Sequence, residues 1–132
     1  MKHVLVVEDD ESVCELLMRH LRRAGHTFMW VSDGQQAWEA LDDGKKFYHV
    51  ISDHQMPGMT GVELLRRMKA DYRTEKIPFA LVSGATTVSE EDKTPLNVVC
   101  AKLGATFHTK PCDYDKLIAQ LLGDEVSTDF VL

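Results

Sequence analysis

Short apolar runs alternate with segments of helical periodicity along almost the whole chain, and this alternation limits the fold more than any other feature of the sequence. Five runs are typical of strands, at residues 3–7, 26–31, 48–52, 77–83 and 105–109. The first of them, HVLVV, is nearly all apolar, which predicts a strand buried on both faces. The five alternations predict an α/β fold in which a doubly wound, five-stranded parallel sheet carries helices on both faces.

Start and stop signals place helices between these strands. Apolar residues recur at helical spacing from residue 13 to residue 24, and Gly25 then supplies the C-terminal stop. Ser32 or Asp33 can cap a second helix that closes at Gly44. A Met-Pro-Gly turn precedes a third amphipathic segment, and apolar residues between 114 and 122 complete the last helix.

The segment between the fourth and fifth strands allows two interpretations. In the first, Thr94 caps a helix with Pro95 at its first position, and residues 84–93 form a long acidic loop. In the second, a helix begins near Ser89 and is kinked at Pro95.

Polar side chains follow four of the predicted strands at the point where each strand ends. In open parallel sheets the functional crevice lies outside the carboxyl ends of the strands. The residues that we expect to meet at this edge are Glu8, Asp9, Asp10, Asp53, Ser83 and Lys110.

Such a set of side chains favours one kind of chemistry. Carboxylates that converge repel one another unless a cation lies between them, and hard oxygen ligands open to water favour Mg²⁺. A metal flanked by a lysine and a hydroxyl suits phosphoryl transfer, where negative charge on the phosphoryl oxygens must be neutralised. An aspartate can itself accept the phosphoryl group as an acyl phosphate.

Composition excludes several other classes of protein. The 132 residues suit one domain, and 15 basic against 21 acidic residues argue against direct nucleic-acid binding. No apolar run approaches the length of about 20 residues that spans a bilayer, so no membrane insertion is expected. Cys14, Cys100 and Cys112 lack paired spacing, which indicates free thiols and a cytoplasmic protein.

Four pieces of the sequence resemble a known family. "VLVVEDD", "ISDHQMPGMTG", "LVSGA" and "FHTKP" occur in this order, each at the end of a predicted strand. Together they resemble the receiver domain of two-component response regulators, of the chemotaxis-type single-domain or isolated kind. The resemblance implies a flavodoxin-like (βα)5 three-layer sandwich over residues 1–123, and residues 124–132 are expected to form a loosely ordered C-terminal tail.

The resemblance also implies an acceptor and a metal site. Asp53 takes the place of the phosphoryl-accepting nucleophile. Glu8 and Asp9 take the place of the acidic pair, with Asp9 as a direct Mg²⁺ ligand and Glu8 acting through water. Gln55 is expected to offer its backbone carbonyl oxygen to the metal.

Further residues are assigned by the same resemblance. Lys110 is expected to pair with the phosphoryl oxygens, and Pro111 follows it, often with a cis bond between the two. Ser83 takes the place of the switch hydroxyl, and Phe107 is either the switch aromatic or simply part of the core. His54 is expected to cover the mouth of the pocket or to lie on the surface. Trp30 and Trp38 are expected to serve packing.

The function implied is a phosphorylation-activated signalling switch that catalyses only its own phosphorylation and dephosphorylation. A sensor histidine kinase or histidine phosphotransfer protein is the expected donor and a downstream protein the target, with a phosphorylation-linked dimer as a further expectation. The alternative is a phosphorylation-independent binding module, which Gly84 and the additional residues near "TTVSEEDKTP" motivate. A phosphatase with a nucleophile after the first strand would need a D-x-D-x-T arrangement, which "EDDESV" does not provide.

Overall fold

Five strands and five helices alternate through residues 1–123, which are the residues that our computed structural model describes. The predicted tail over residues 124–132 lies outside them. In chain order the elements are β1 His3–Val7, α1 Glu11–Arg23, β2 Thr27–Val31, α2 Gly34–Asp42, β3 His49–Ser52, α3 Gly61–Lys69, β4 Phe79–Ser83, α4 Leu96–Lys102, β5 Thr106–Thr109 and α5 Tyr114–Leu122.

All strands are parallel and lie in one sheet in the order β2-β1-β3-β4-β5. The chain moves outward from β1 to β2, then returns past β1 to β3, so the strand order reverses between β1 and β3. This reversal is the topological switch point of a doubly wound fold, and it confirms the predicted flavodoxin-like class.

The sheet separates two apolar clusters, one on each face. Val4 and Val6 of β1 point into a cluster completed by α1 and α5, whereas Leu5 and Val7 point into the cluster of α2, α3 and α4. Successive side chains of a strand face opposite sides of its sheet, so β1 needs apolar residues at each of its four buried positions, Val4 to Val7. Burial on both faces thus explains the apolar run from Val4 to Val7.

Side-chain caps begin most of the helices. Asp10 accepts hydrogen bonds from the N–H groups of the first turn of α1, and Asp113 accepts one in α5. Asp33, rather than Ser32, caps α2, while Thr60 and Glu63 form a reciprocal capping box on α3. Gly25 follows α1 with a φ of 86°, as its predicted role as a stop requires.

The segment before α4 departs from the prediction. Residues 84–95 form a loop, which we call the β4–α4 loop, so the interpretation with a kinked helix from Ser89 is wrong. The prediction that Thr94 caps the helix is also wrong, because Pro95 is the N-cap and the Thr94 hydroxyl donates to Asp92. The loop folds back on itself through an antiparallel bridge between Thr87 and Pro95.

Other differences from the predicted elements are small. β2, β3 and β5 begin one residue later than predicted and β4 begins two residues later, at Phe79. Cys14, Cys100 and Cys112 are free, as expected. Among the described helices, none has the length and apolar character needed to cross a membrane.

Candidate functional site

The carboxyl ends of β1 and β3 lie side by side at the switch point of the sheet, and the acidic residues follow directly from them. Val7 pairs with Ser52, and the N–H of Asp53 donates to the carbonyl oxygen of Val7 at 2.9 Å. On the other side, the N–H of Glu8 donates to the carbonyl oxygen of Val31 at 3.1 Å. The ladder of the sheet therefore continues one residue beyond the strands and holds both acidic residues in place.

Three carboxylates meet at this point. Glu8, Asp9 and Asp53 each place one oxygen within 4.8 Å of the others. Glu8 is 5% exposed and Asp53 is 9% exposed, whereas Asp9 is open to solvent. Hard anionic oxygens on a site that opens to water on one side are the donor set that Mg²⁺ prefers, so these residues fit the expected ion.

Lys110 reaches the acidic residues from the far side of β4. Its N–H donates to the carbonyl oxygen of Ser83, which extends the β4–β5 ladder and fixes the backbone. Its ammonium group donates to Oε2 of Glu8 at 2.8 Å and lies 3.4 Å from Oδ2 of Asp53. The bond from Lys110 to Pro111 is cis, as the resemblance implied.

Burial and neighbouring charges shift the pKa values of Glu8 and Lys110. Burial raises the pKa of the Glu8 carboxyl above its ordinary value, although the hydrogen bond from Lys110 acts in the opposite direction. Burial alone would lower the pKa of Lys110, but its hydrogen bond to Glu8 and the charge of Asp53 outweigh that effect and raise it. Lys110 is therefore a permanent cation between two carboxylates at neutral pH.

The Asp53 side chain is held rigidly on the side away from Lys110. Its Oδ1 accepts the N–H of His54 at 2.7 Å, while its own carbonyl oxygen accepts the hydroxyl of Ser52 at 2.7 Å. Gly61 packs so closely below it that an added Cβ would lie 2.9 Å from the Cα of His54. Oδ2 is the oxygen that faces the cation.

The remaining predicted residues surround this centre at different depths. Ser83 is fully buried at the end of β4, and its Oγ accepts the N–H of Ala85 at 3.0 Å. Phe107 is half-buried on β5 and packs against the apolar cluster of α2, α3 and α4. Gln55 is exposed two residues beyond Asp53. The roles assigned to these residues stay predictions.

Two residues, His54 and Trp30, differ from what the sequence predicted for them. His54 is buried, 1% exposed, instead of lying on the surface or at the mouth of the pocket. Trp30 is 37% exposed and does more than pack, because its indole N–H donates to the carbonyl oxygen of Glu8 at 2.8 Å. Trp38, by contrast, is a packing residue as predicted. Both missed contacts involve backbone groups, which no residue pattern reveals.

Comparison with known proteins gives one consistent family. The family described as response regulator receiver domain matches residues 4–122. The transcriptional regulatory protein FixJ of Bradyrhizobium diazoefficiens is 37% identical over 120 residues, which cover 90% of this chain and 54% of that protein. The chain spans about half the length of the transcriptional regulators that it matches in this way.

Solved structures share the fold. The chemotaxis response regulator CheY4 of Vibrio cholerae superposes with a TM-score of 0.75 at 28% identity, covering 92% of this chain and 96% of that one. The receiver domain of a Pseudomonas aeruginosa sensor histidine kinase, solved with a magnesium ion coordinated in its active site cleft, gives a TM-score of 0.75 at 20% identity, covering 92% and 98%. At 20% identity, the similarity to the Pseudomonas aeruginosa receiver domain shows a shared fold and nothing more.

Proposed function

The chain belongs to the family of response regulator receiver domains, the signalling domains of two-component systems, and from this premise we propose that Asp53 is its phosphoryl acceptor. The donor is a sensor histidine kinase or a histidine phosphotransfer protein, and phosphorylation changes the surface that a downstream protein binds. The chain acts on no separate substrate and catalyses only its own phosphorylation and dephosphorylation.

One observation carries the proposal: Asp53 has both an acidic pair and a cation as close neighbours. A carboxylate oxygen of Asp53 is within 4.8 Å of oxygens from Glu8 and Asp9, and its Oδ2 is 3.4 Å from the Lys110 ammonium. A carboxylate that merely capped a loop would need neither neighbour. A nucleophile that must receive a negatively charged group needs both, because positive charge must balance the incoming oxygens.

The side chains present can each be given a part in the transfer. A carboxylate oxygen of Asp53 forms a bond to the phosphorus, and the bond from phosphorus to the donor's imidazole nitrogen breaks, with its electron pair returning to that nitrogen. Lys110 stabilises negative charge on the phosphoryl oxygens from the side of β5. The N–H of His54 holds Oδ1 of Asp53, so the second oxygen is the one left facing the cation.

Glu8, Asp9, Asp53 and the backbone carbonyl of Gln55 are the groups that would hold Mg²⁺. When bound, the ion supplies positive charge that neutralises the phosphoryl oxygens during transfer. The receiver domain of the Pseudomonas aeruginosa sensor histidine kinase, which shares this fold, holds a magnesium ion in its active site cleft, and we carry that ion over to this chain as part of the proposal. The proximity of three carboxylates supports it independently, because a cation relieves the repulsion among them.

Phosphorylation then has to change the surface of the domain. We assign this step to Ser83, whose hydroxyl moves toward the phosphoryl group, and to Phe107, which turns inward as the β4–α4 loop shifts. Such a change biases an equilibrium between two existing conformations. We expect the changed surface to contact a downstream protein, with dimerisation linked to phosphorylation as a second route.

The acceptor is tested by mass spectrometry after incubation with acetyl phosphate and Mg²⁺. We expect one added phosphoryl group on the wild-type chain and none on Asp53→Asn. Asp10→Asn is the matched control, because asparagine caps a helix about as well as aspartate and this residue should not matter for transfer. Absence of phosphorylation in wild type, also with a cognate kinase, would refute the proposal.

The metal is tested by titration with Mg²⁺ while tryptophan fluorescence is followed, since the indole of Trp30 is bonded to the backbone of Glu8. Saturable binding is expected in wild type, and weaker binding in Asp9→Asn. A chain that binds no Mg²⁺ would favour the alternative of a phosphorylation-independent binding module.

A further inference from the structure

His54 has an imidazole ring that is buried and hydrogen-bonded at both nitrogens. Nδ1 accepts the backbone N–H of Val62 at 3.3 Å, and Nε2 lies 2.8 Å from the carbonyl oxygen of Val88. A backbone N–H can only donate and a carbonyl can only accept, so Nδ1 carries no proton and Nε2 carries one. Both contacts are therefore satisfied by a single neutral tautomer.

The two partners of the ring belong to different parts of the molecule. Val62 lies in the first turn of α3, next to the acceptor, whereas Val88 lies in the β4–α4 loop. The backbone of Val88 is otherwise bonded within that loop, since its N–H donates to the carbonyl of Thr94 at 3.0 Å. The His54 ring thus links the segment that carries the acceptor to a loop that is largely folded upon itself.

The same loop directly follows Ser83, the proposed switch hydroxyl at the end of β4. The Oγ of Ser83 accepts the N–H of Ala85, two residues into the chain that follows β4. A Cβ built on Gly84, between them, would meet no atom within 4 Å, so this turn has free space in which to move. Movement of the hydroxyl toward Asp53 requires the turn to rearrange, and the link from His54 to Val88 opposes that rearrangement.

We propose that His54 is a positioning residue whose ring holds the β4–α4 loop in its unphosphorylated position, so that the domain switches only when phosphorylation of Asp53 overcomes this link. The inference rests on the function proposed above and adds to it a residue that sets the threshold of the switch. His54 is suited to this part because its main chain also contacts the acceptor: its N–H donates to Oδ1 of Asp53. Asp53 therefore contacts the main chain of His54, while the loop at Val88 contacts its ring.

Thermodynamic linkage between the loop position and phosphoryl binding gives the size and direction of the expected change in affinity. If the ring bond to Val88 exists only in the unphosphorylated arrangement, removing it favours the phosphorylated arrangement by the free energy of one hydrogen bond. A phosphoryl analogue should then bind the variant about two- to ten-fold more tightly. Both ring nitrogens bond to the backbone of other residues and neither bonds to Asp53, so we attribute the gain to the lost link with Val88.

Two substitutions separate the contacts of the ring. His54→Asn keeps an acceptor near the place of Nδ1, for the N–H of Val62, but is too short to reach Val88. His54→Gln places an amide donor near the place of Nε2 and can restore the bond to Val88. With saturating Mg²⁺, beryllofluoride binding is measured by tryptophan fluorescence in both variants and in wild type, alongside the free energy of unfolding.

We expect His54→Asn to bind beryllofluoride about two- to ten-fold more tightly than wild type, and His54→Gln to return toward the wild-type affinity. A ring with only a structural role would lower the stability of both variants and leave the affinity unchanged. Wild-type affinity in His54→Asn, or a His54→Gln variant that binds as tightly as His54→Asn, would overturn the inference.

A measurement on the wild-type chain avoids any loss of folding in the variants. Nitrogen-15 NMR of the His54 ring should show one protonated and one unprotonated nitrogen, and beryllofluoride with Mg²⁺ should remove the hydrogen-bonded signal of Nε2–H. A ring signal that is unchanged at saturation would overturn the role of the link. Failure of the wild-type chain to bind beryllofluoride at all would instead refute the proposed function.

Discussion

Gly61 occupies a position where even a methyl group should disturb the acceptor. A Cβ at this residue would lie 2.5 Å from Cδ1 of Leu81 and 2.9 Å from the Cα of His54, and nearer still to the carbonyl oxygen of Asp53. Carbon atoms in van der Waals contact are about 3.5–4.0 Å apart. Since two of these three neighbours are backbone atoms, no rotation of a side chain relieves the overlap, and the strand end or the start of α3 must move.

The magnitude follows from two opposing contributions. Overpacking of a dense site costs about 1–3 kcal/mol, and a clash with backbone belongs at the upper end of that range. Alanine is favoured over glycine by up to about 1 kcal/mol inside a helix, and at the first residue of α3 this preference offsets at most part of the loss. We expect Gly61→Ala to lower the free energy of unfolding by about 2 kcal/mol, or the Tm by roughly 6–10 °C for a domain of this size.

Urea unfolding followed by circular dichroism measures this change, and Mg²⁺ titration shows whether the displacement reaches Asp53. Gly84→Ala is the matched control, because a Cβ there meets nothing within 4 Å and the backbone of Gly84 is not in the left-handed region. That substitution should be neutral or stabilise the chain by up to about 1 kcal/mol. Equal stability and equal Mg²⁺ affinity in the two variants would refute the reasoning.

Four further predictions concern single side chains. Thr60→Ala should cost about 1 kcal/mol in urea unfolding, because it removes one half of the capping box of α3. Leu96→Ala should cost about 2–5 kcal/mol by the same measurement, since this fully buried residue joins α4 to the core. Burial lowers the pKa of His49, so the unfolded chain binds the proton more tightly than the folded one. The free energy of unfolding should therefore fall as pH drops from about 7 to about 5. His49→Gln should reduce that fall, measured by urea unfolding at both pH values. Lys110→Met should strengthen Mg²⁺ binding, by removing a cation from the carboxylates, and weaken beryllofluoride binding; weakening of both in fluorescence titrations would contradict the assigned role.

Much of the fold and the centre of the site follow from local signals in the sequence. β1 reads as an unbroken apolar run because both of its faces are buried, and the acidic residues at its end stand out against that run. The position of Asp53 follows in the same way from the end of β3. Lys110 is separated from Glu8 by 102 positions in the chain, yet the rule that parallel strands share one functional edge brings the two together.

The parts that the sequence did not predict depend on backbone groups. His54 was expected to cover the mouth of the pocket or to lie on the surface, but two main-chain partners satisfy its ring and allow burial. Thr94 was expected to cap α4, but the first N–H of that helix, on Leu96, already donates to the carbonyl of Thr86 across the loop. A hydroxyl cap is therefore unnecessary there. Every residue type except proline carries both a backbone N–H and a carbonyl, so no pattern of side chains could indicate which of them would meet.

The uniform direction of the strands has a practical consequence for anyone who wishes to label this molecule. Every βα connection lies at the edge that holds Asp53, and every αβ connection lies at the opposite edge. The exposed Lys45–Lys46 turn between α2 and β3 belongs to that opposite edge. A dye or an inserted peptide attached there would stand a full strand length from the chemistry, where it could report on the domain without touching the acceptor.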